Sequence, residues 1–314
     1  QAVGAVEIAE QALDEQLRTR GWPMLLPLES IHQQSAQQFA RWGEALSQAL
    51  GEPLVLQHVP RLPPTTELTL ETRQDYPGVD GQRAAILRFR WPAQGLLARW
   101  RGQGLGDFEA GDLIAIVPPG DGLPRYYSLA SGAQDGFVEI CVRQIPGGLC
   151  STHLLELQPG QSVAAYIRAN PGFALPRAPK SVVLIGAGTG VAPLAGFIRR
   201  NRRRTPMHLF FGGRDPARDY YFGPDIERWR EQGQLASVHT VFSRVSGGGG
   251  YVQDALHRQA ERLRELLAGG AIVRVCGSRA MARGVAEALD AVLAPLRLSV
   301  QQLKAQERYA EDLF

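Results

Sequence analysis

Three short stretches place chemically useful residue types at fixed spacing. In "IGAGTGVAP" (185–193), glycines at 186, 188 and 190 sit where an apolar run meets a helix start. Without side chains there, backbone amides can approach a pyrophosphate, and the positive end of the following helix points at it. The same turn also fits tight packing with no ligand. In "RYYSLAS" (125–131), strand alternation puts Arg125 and Tyr127 on one face and Tyr126 and Ser128 on the other. One face then combines a guanidinium for phosphate with an aromatic platform, although paired tyrosines also serve as core filling. In "GGLCST" (147–152), Ser151 or Thr152 is expected to cap a helix, and the amides beside Gly148 form a second anion site. A plain helix cap is the simpler reading of that stretch. Two anion sites, an aromatic strand and the aromatic end "ERYAEDLF" (307–314) together suit a flat ring system carrying phosphates.

The elements that must position these residues fall into three regions. Residues 1–58 read as helix, strand, helix: a run closed by Gly21, then "PMLLPLE", then 35–50 with Phe39, Trp42, Leu46 and Leu50 on one face. A lone strand needs a neighbour for its backbone groups, so this small α/β appendage reads as the end of a larger domain or as a docked addition. Residues 59–178 change to a period of two, in "AILRFRW", "GDLIAIVP", "GFVEICVRQ" and "QSVAAYIR", which predicts an antiparallel β-barrel interrupted by one helix starting near Ser151. "PRAPK" (176–180) serves as a linker. Residues 179–314 alternate short apolar strands (182–185, 207–211, 236–242 and 271–276) with helices, which predicts a doubly wound parallel sheet with ligands at its carboxyl ends.

Composition limits the classes of function. The 314 residues carry 34 basic and 31 acidic side chains, a net charge of only +3, and all basic residues but Lys180 and Lys304 are arginine. The arginine run 199–204 reads as the solvated end of a helix, with a nucleic-acid-binding module as the rival reading. No nucleic-acid partner is expected. Three scattered cysteines and six histidines without ligand spacing predict no disulfide framework and no metal. The uncharged stretch 181–198 resembles a membrane span in composition, but Gly186, Gly188, Gly190 and Pro193 fit strand, turn and helix better. A chain opening on Gln1 reads as a fragment or a processed product, with nothing there that resembles a signal peptide. The scattered cysteines favour a reducing compartment, so a cytoplasmic location, or the cytoplasmic face of a membrane if the chain is part of a longer one, is expected.

"RYYSLAS", "GGLCST", "IGAGTGVAP", "FFGGRDPARDYYF", "FSR", "YVQDAL", "VCG" and "RYAEDLF" occur in the order and spacing of the ferredoxin-NADP reductase superfamily. The chain most resembles its diflavin branch, such as sulfite reductase flavoprotein, over about residues 60–314. The resemblance implies an FAD-binding barrel domain, an NADP-binding α/β domain, and an oxidoreductase that passes single electrons from NADPH to an acceptor. Arg125 would bind the FAD phosphate, with Tyr126 beside it; Tyr127 would stack on the isoalloxazine, and Ser128 would lie near N5. Gly148, Cys150 and Ser151 would hold the FAD pyrophosphate. Gly188, Thr189 and Gly190 would form the NADP pyrophosphate loop, while Ser243, Arg244, Tyr251 and Gln253 would grip the 2′-phosphate. Ser128, Cys276 and Asp312 would form the catalytic group around the nicotinamide, and Phe314 would cover the second face of the flavin. As residue-level alternatives, Cys276 also fits core lining and Asp312 a solvated acid.

Two departures matter. Relatives often carry a lysine two residues before the tyrosine of "YVQ", where this chain has Gly249. A missing charge-assisted bond is worth roughly 1.5 to 3 kcal/mol, so a weaker preference for NADPH over NADH is expected. "GDLIAIVPP" also reaches "RYYS" across a few residues, which predicts a barrel without an inserted connecting domain. More weakly, residues 1–58 resemble the end of a flavodoxin-like domain, which implies FMN in a part of the protein before this chain. A stand-alone flavodoxin or ferredoxin reductase is the alternative. The acceptor remains open between a flavodoxin-like, an iron-sulfur and a haem protein.

Overall fold

The computed structural model describes residues 16, 17, 19–21, 25–27, 36–54, 62–92, 106–120, 123–245 and 249–314. The chain divides into two compact units, Gln1–Pro63 and Pro64–Phe314. In the first, helix α1 (Ala36–Leu50) brings Phe39 and Trp42 together with ring centroids 5.9 Å apart. Most of the expected first helix, and most of the strand "PMLLPLE", lie outside the described residues.

The second unit opens with six antiparallel strands: β1 (Thr66–Tyr76), β2 (Ala84–Arg90), β3 (Leu113–Val117), β4 (Arg125–Ser128), β5 (Val138–Arg143) and β6 (Ser162–Arg168). Their order is β4-β3-β6-β1-β2-β5. The two edges meet where Ala130 N–H donates to the Glu139 carbonyl at 2.8 Å, which closes the sheet towards a barrel. Leu68, Leu87, Phe89, Ile114, Ile140 and Val163 fill it. Strands β3 and β4 pair directly as a hairpin, so no domain is inserted between them. Helix α2 (Leu149–Glu156) adds Cys150, Leu154 and Leu155 to that core.

Five parallel strands follow: β7 (Val182–Ala187), β8 (Met207–Gly213), β9 (Ser237–Phe242), β10 (Ile272–Gly277) and β11 (Tyr309–Leu313), in the order β11-β10-β7-β8-β9. Central strands covered on both faces read as near-continuous apolar runs. β10 is buried along its whole length, and its one charged residue, Arg274, donates to the carbonyls of Phe173 and Ala174. Helices α3 (Val191–Arg199) and α4 (Gly223–Glu231) cover one face. The other is covered by α5 (Val252–Arg258), α6 (Ala260–Ala268), α7 (Arg279–Leu293) and α8 (Val300–Ala305). The terminal "RYAEDLF" is therefore mostly a sheet strand paired to β10, with Cys276 opposite Asp312.

The barrel and the parallel sheet are joined through α3. A Cβ at Gly196 would lie 2.6 Å from Ala110 Cβ and 2.7 Å from the Ala130 carbonyl oxygen, so glycine lets α3 ride directly on the barrel. At the end of α3, Arg199 donates to the Ala130 carbonyl and to the buried carboxylate of Glu139, which also binds Arg88 at 2.7 Å. Arg88 lies 3.9 Å over the Phe137 ring. The first two members of the arginine run are paired: Arg199 with the buried Glu139, and Arg200 with the exposed Glu109. Breaking a buried pair strands the remaining charge at a cost of roughly 3 to 5 kcal/mol. Because Arg88 is partly exposed, Glu139→Gln is expected near the low end, about 3 kcal/mol, and a chemical-denaturation midpoint equal to wild type would contradict this.

Candidate functional site

Strand pairing carries the "RYYS" side chains to opposite faces of the barrel. Tyr126, Ala115 and Tyr166 are register neighbours across β4, β3 and β6, as are Tyr127, Ile114 and Ile167. The Tyr126 and Tyr166 hydroxyls are 3.0 Å apart, and the Arg168 guanidinium lies 5.5 Å over the Tyr126 ring. Tyr127 packs on the barrel core with its hydroxyl bonded to Cys150, and burial raises its pKa. Arg125 donates to the Leu123 carbonyl at 2.9 Å.

The "GGLCST" loop departs from the expected cap. Helix α2 begins at Leu149 behind Gly148. Ser151 Oγ instead accepts from Ile145 N–H at 3.1 Å and donates to the Gly148 carbonyl at 3.2 Å. Neither Ser151 nor Thr152 caps the helix, because both already lie inside its first turn. A Cβ at Gly148 would stand 2.9 Å from Ser151 Oγ and 3.1 Å from the Ile145 carbonyl oxygen, so a side chain there would crowd this tight loop.

At the carboxyl end of β7, Gly188–Gly190 forms a 3-10 turn that runs straight into α3. Gly188 has φ +56° with nothing within 4 Å of a built Cβ, leaving the turn open on that side. Gly190 is closed: its Cβ would lie 2.2 Å from the Cys276 carbonyl oxygen. A cavity of about 400 Å³ opens beside this turn. Gly188, Thr189, Ser243, Tyr251, Gln253 and Phe314 all line it. An open glycine turn with helix amides, an exposed tyrosine and a basic rim fit a dinucleotide with phosphates.

One acid from the parallel sheet meets a barrel side chain beside the glycine turn. Ser128 Oγ donates to Asp312 Oδ2 at 2.5 Å, and Cys276 Sγ lies 3.8 Å from the same oxygen. Parallel pairing of β10 with β11 sets Cys276 beside Asp312, and pairing with β7 sets it beside Gly186. Burial raises the Asp312 pKa, opposed by hydrogen bonds from Ser128 and Cys276. Burial also pushes the Cys276 thiol well up, aided by the charge of Asp312. The three residues expected as a catalytic group are therefore in contact, and Asp312 is not a solvated acid.

Sequence reasoning gave no role to Arg214, Asp219, Arg143 or Asp80. The buried Asp219 accepts from the Arg214 and Asp215 amides at 2.9 to 3.0 Å and shapes the turn after β8, while Arg214 and Arg143 line the cavity. Arg214 could have been found as the cation directly after "FFGG". Arg143 and Asp80 come from the barrel and carry no local signal. Arg244 adjoins the cavity-lining Ser243 but bonds Asp80 at 2.5 Å. Gly249 is also explained, since a Cβ there would meet the Ser243 carbonyl oxygen at 2.4 Å; this backbone leaves no room for a lysine. Among the described residues, no group of three His, Cys, Asp or Glu could hold a metal, and no helix is long and apolar enough to cross a membrane.

Comparison with known proteins gives matches over the same regions. Residues 104–166 match the oxidoreductase FAD-binding domain, and residues 184–287 match the oxidoreductase NAD-binding domain. NADPH oxidoreductase A of Dictyostelium discoideum is 29% identical over 216 residues, covering 61% of this chain and 34% of that protein. Inducible nitric oxide synthase of Homo sapiens is 35% identical over 224 residues, covering 61% of this chain and 19% of that protein. The Rattus norvegicus enzyme of the same name is 36% identical over 225 residues, covering 61% and 20%. The chain thus spans about a fifth to a third of the length of these relatives.

The raised pKa of Asp312 has a measurable consequence. The folded state holds this proton more tightly than the unfolded chain, whose carboxyl titrates near about 3.9. The resulting stabilisation is full below that value and is lost as pH rises through the folded pKa. Asp312→Asn keeps an oxygen acceptor for Ser128 but cannot ionise. Its urea midpoint should gain on wild type as pH rises from about 4, and a difference that does not change with pH would contradict the raised pKa.

Proposed function

As the chain belongs to the ferredoxin-NADP reductase superfamily, we propose that it is the NADPH-dependent FAD reductase module of a diflavin protein. The observation that carries this reading is the meeting of Ser128 from the barrel with Cys276 and Asp312 from the parallel sheet, close to the glycine turn. Such a junction is what a reaction between a barrel-bound and a sheet-bound cofactor requires.

On this reading, residues 59–178 hold FAD and residues 179–314 hold NADPH. Arg125 and the amides beside Gly148 would bind the FAD phosphates, with Cys150 and Ser151 shaping that loop and Tyr126 and Tyr127 supplying aromatic surface. Gly188, Thr189 and Gly190 would bind the NADPH pyrophosphate. Ser243, Arg244, Tyr251 and Gln253 would hold its adenosine end and 2′-phosphate, with Arg214 added by its place in the cavity wall. Phe314, exposed and lining the same cavity, would cover the flavin until the nicotinamide displaces it. Bound FAD supplies the conversion of a hydride donor, NADPH, into single electrons for an acceptor. Ser128 would hold a hydrogen-bond donor at the reacting edge, and ionised Asp312 would stabilise the positive charge that grows on the nicotinamide.

Residues 1–58 would be the tail of a flavodoxin-like FMN domain, which makes that domain the favoured acceptor over an iron-sulfur or haem protein. The place of action would be the cytoplasm, or the cytoplasmic face of a membrane if a longer chain is anchored there. The direct β3–β4 hairpin equally suits a stand-alone flavodoxin or ferredoxin reductase. Flavins counted per full-length protein separate the two: two flavins support the diflavin reading and one supports the alternative.

The purified chain should bind one FAD, lose its oxidised-flavin absorbance under anaerobic NADPH, and reduce ferricyanide. Phe314→Ala should perturb the flavin spectrum and narrow the NADPH to NADH ratio. A chain that takes up no FAD would overturn the proposal.

A further inference from the structure

We propose that Asp80, at the tip of the barrel's β1–β2 hairpin, is a specificity-determining residue that competes with the coenzyme's 2′-phosphate for Arg244 and Arg214. The inference rests on the reading of Ser243, Arg244 and Tyr251 as the 2′-phosphate end of the cavity.

The geometry is that of a carboxylate standing where an anion is needed. Asp80 Oδ1 accepts from Arg244 Nη1 at 2.5 Å, and Asp80 Oδ2 lies 3.7 Å from Arg214 Nη1. Its neighbours Val79 and Gln82 line the cavity together with Arg214, Ser243 and Tyr251, which places the tip at the cavity rim. The tip is shaped to hold that position. Gly78, Asp80 and Gly81 all have positive φ, and a Cβ at Gly78 would lie only 1.8 Å from the Gln82 carbonyl oxygen. Aspartate is one of the few side chains that tolerates this backbone. Arg218, from the same loop as Arg214, reaches the Gly78 carbonyl oxygen at 3.5 Å.

Charge decides the direction of the effect. Arg214 and Arg244 offer two positive charges; with Asp80 the trio is left with one. The arginine contact keeps Asp80 ionised, with its pKa below the usual carboxylate value. An arriving phosphate dianion must displace the carboxylate from Arg244 and then bear its repulsion. A ribose 2′-hydroxyl is neutral and meets no such opposition; it can donate a hydrogen bond to a carboxylate. Asp80 therefore opposes NADPH and spares NADH. Gly249 leaves no space for a lysine at its own position to offset this. Both partners are about half exposed, so exchange is easy and the effect is modest.

The test is calorimetric titration of the FAD-loaded chain at low salt with 2′,5′-ADP and 5′-AMP. Asp80→Asn should bind 2′,5′-ADP about 2- to 5-fold more tightly, with 5′-AMP unchanged and Arg244→Ala weaker for 2′,5′-ADP alone. If Asp80→Asn leaves 2′,5′-ADP binding unchanged or weakens it while Arg244→Ala still loses affinity, Asp80 orients the arginines and the competition is overturned. Equal tightening of both ligands overturns a role in specificity. An Arg244→Ala chain that binds 2′,5′-ADP like wild type overturns the placement of the 2′-phosphate, and this inference with it.

Discussion

The hydrogen bond from Ser128 to Asp312 spans 184 positions of sequence and joins the barrel to the last strand of the parallel sheet. Much of the second unit's architecture serves to bring those two side chains together. The β3–β4 hairpin fixes where Ser128 points, and parallel pairing with β10 fixes Asp312 opposite Cys276. Neither sheet alone sets the distance between them. That is done by α3, seated on the barrel through Gly196 and tied to it by Arg199 and the buried Glu139.

Burial at this junction has two consequences. It lowers the effective dielectric around Asp312, so its charge acts strongly on a ring placed beside it, and it raises the cost of forming that charge. The same environment keeps the Cys276 thiol protonated, which suits a neutral neighbour rather than a nucleophile. At the other end of the cavity the electrostatics are different. Arg244 and Asp80 are about half exposed, so their ion pair is a weak one. The Asp312 junction is thus largely buried, whereas the Arg244–Asp80 pair is exposed.

How far the sequence could be read follows from how local each signal was. β7, β8 and β10 are largely apolar because both faces are covered, with only His208 and Arg274 as buried exceptions, and their positions were legible to within a residue or two. β1 was missed because "TELTLETRQDY" buries only Leu68 and Leu70 and its register is broken between Leu70 and Thr72. β11 was not read as a strand because its acids hide the pattern and its backbone partners lie on β10. The glycine turns were legible since their chemistry lies within a few residues. Asp80 was not, because it meets Arg244 across 164 residues and nothing beside it in the chain announces a binding role.

The central claim is that electrons cross from nicotinamide to flavin at Ser128, Cys276 and Asp312. It is tested most directly by stopped-flow bleaching of the FAD-loaded chain with NADPH deuterated at C4, comparing wild type with Asp312→Ala. The account predicts a primary isotope effect on bleaching in wild type. In the variant it predicts a rate roughly 100-fold lower, with flavin content and 2′,5′-ADP affinity retained. Bleaching in Asp312→Ala at the wild-type rate would contradict it.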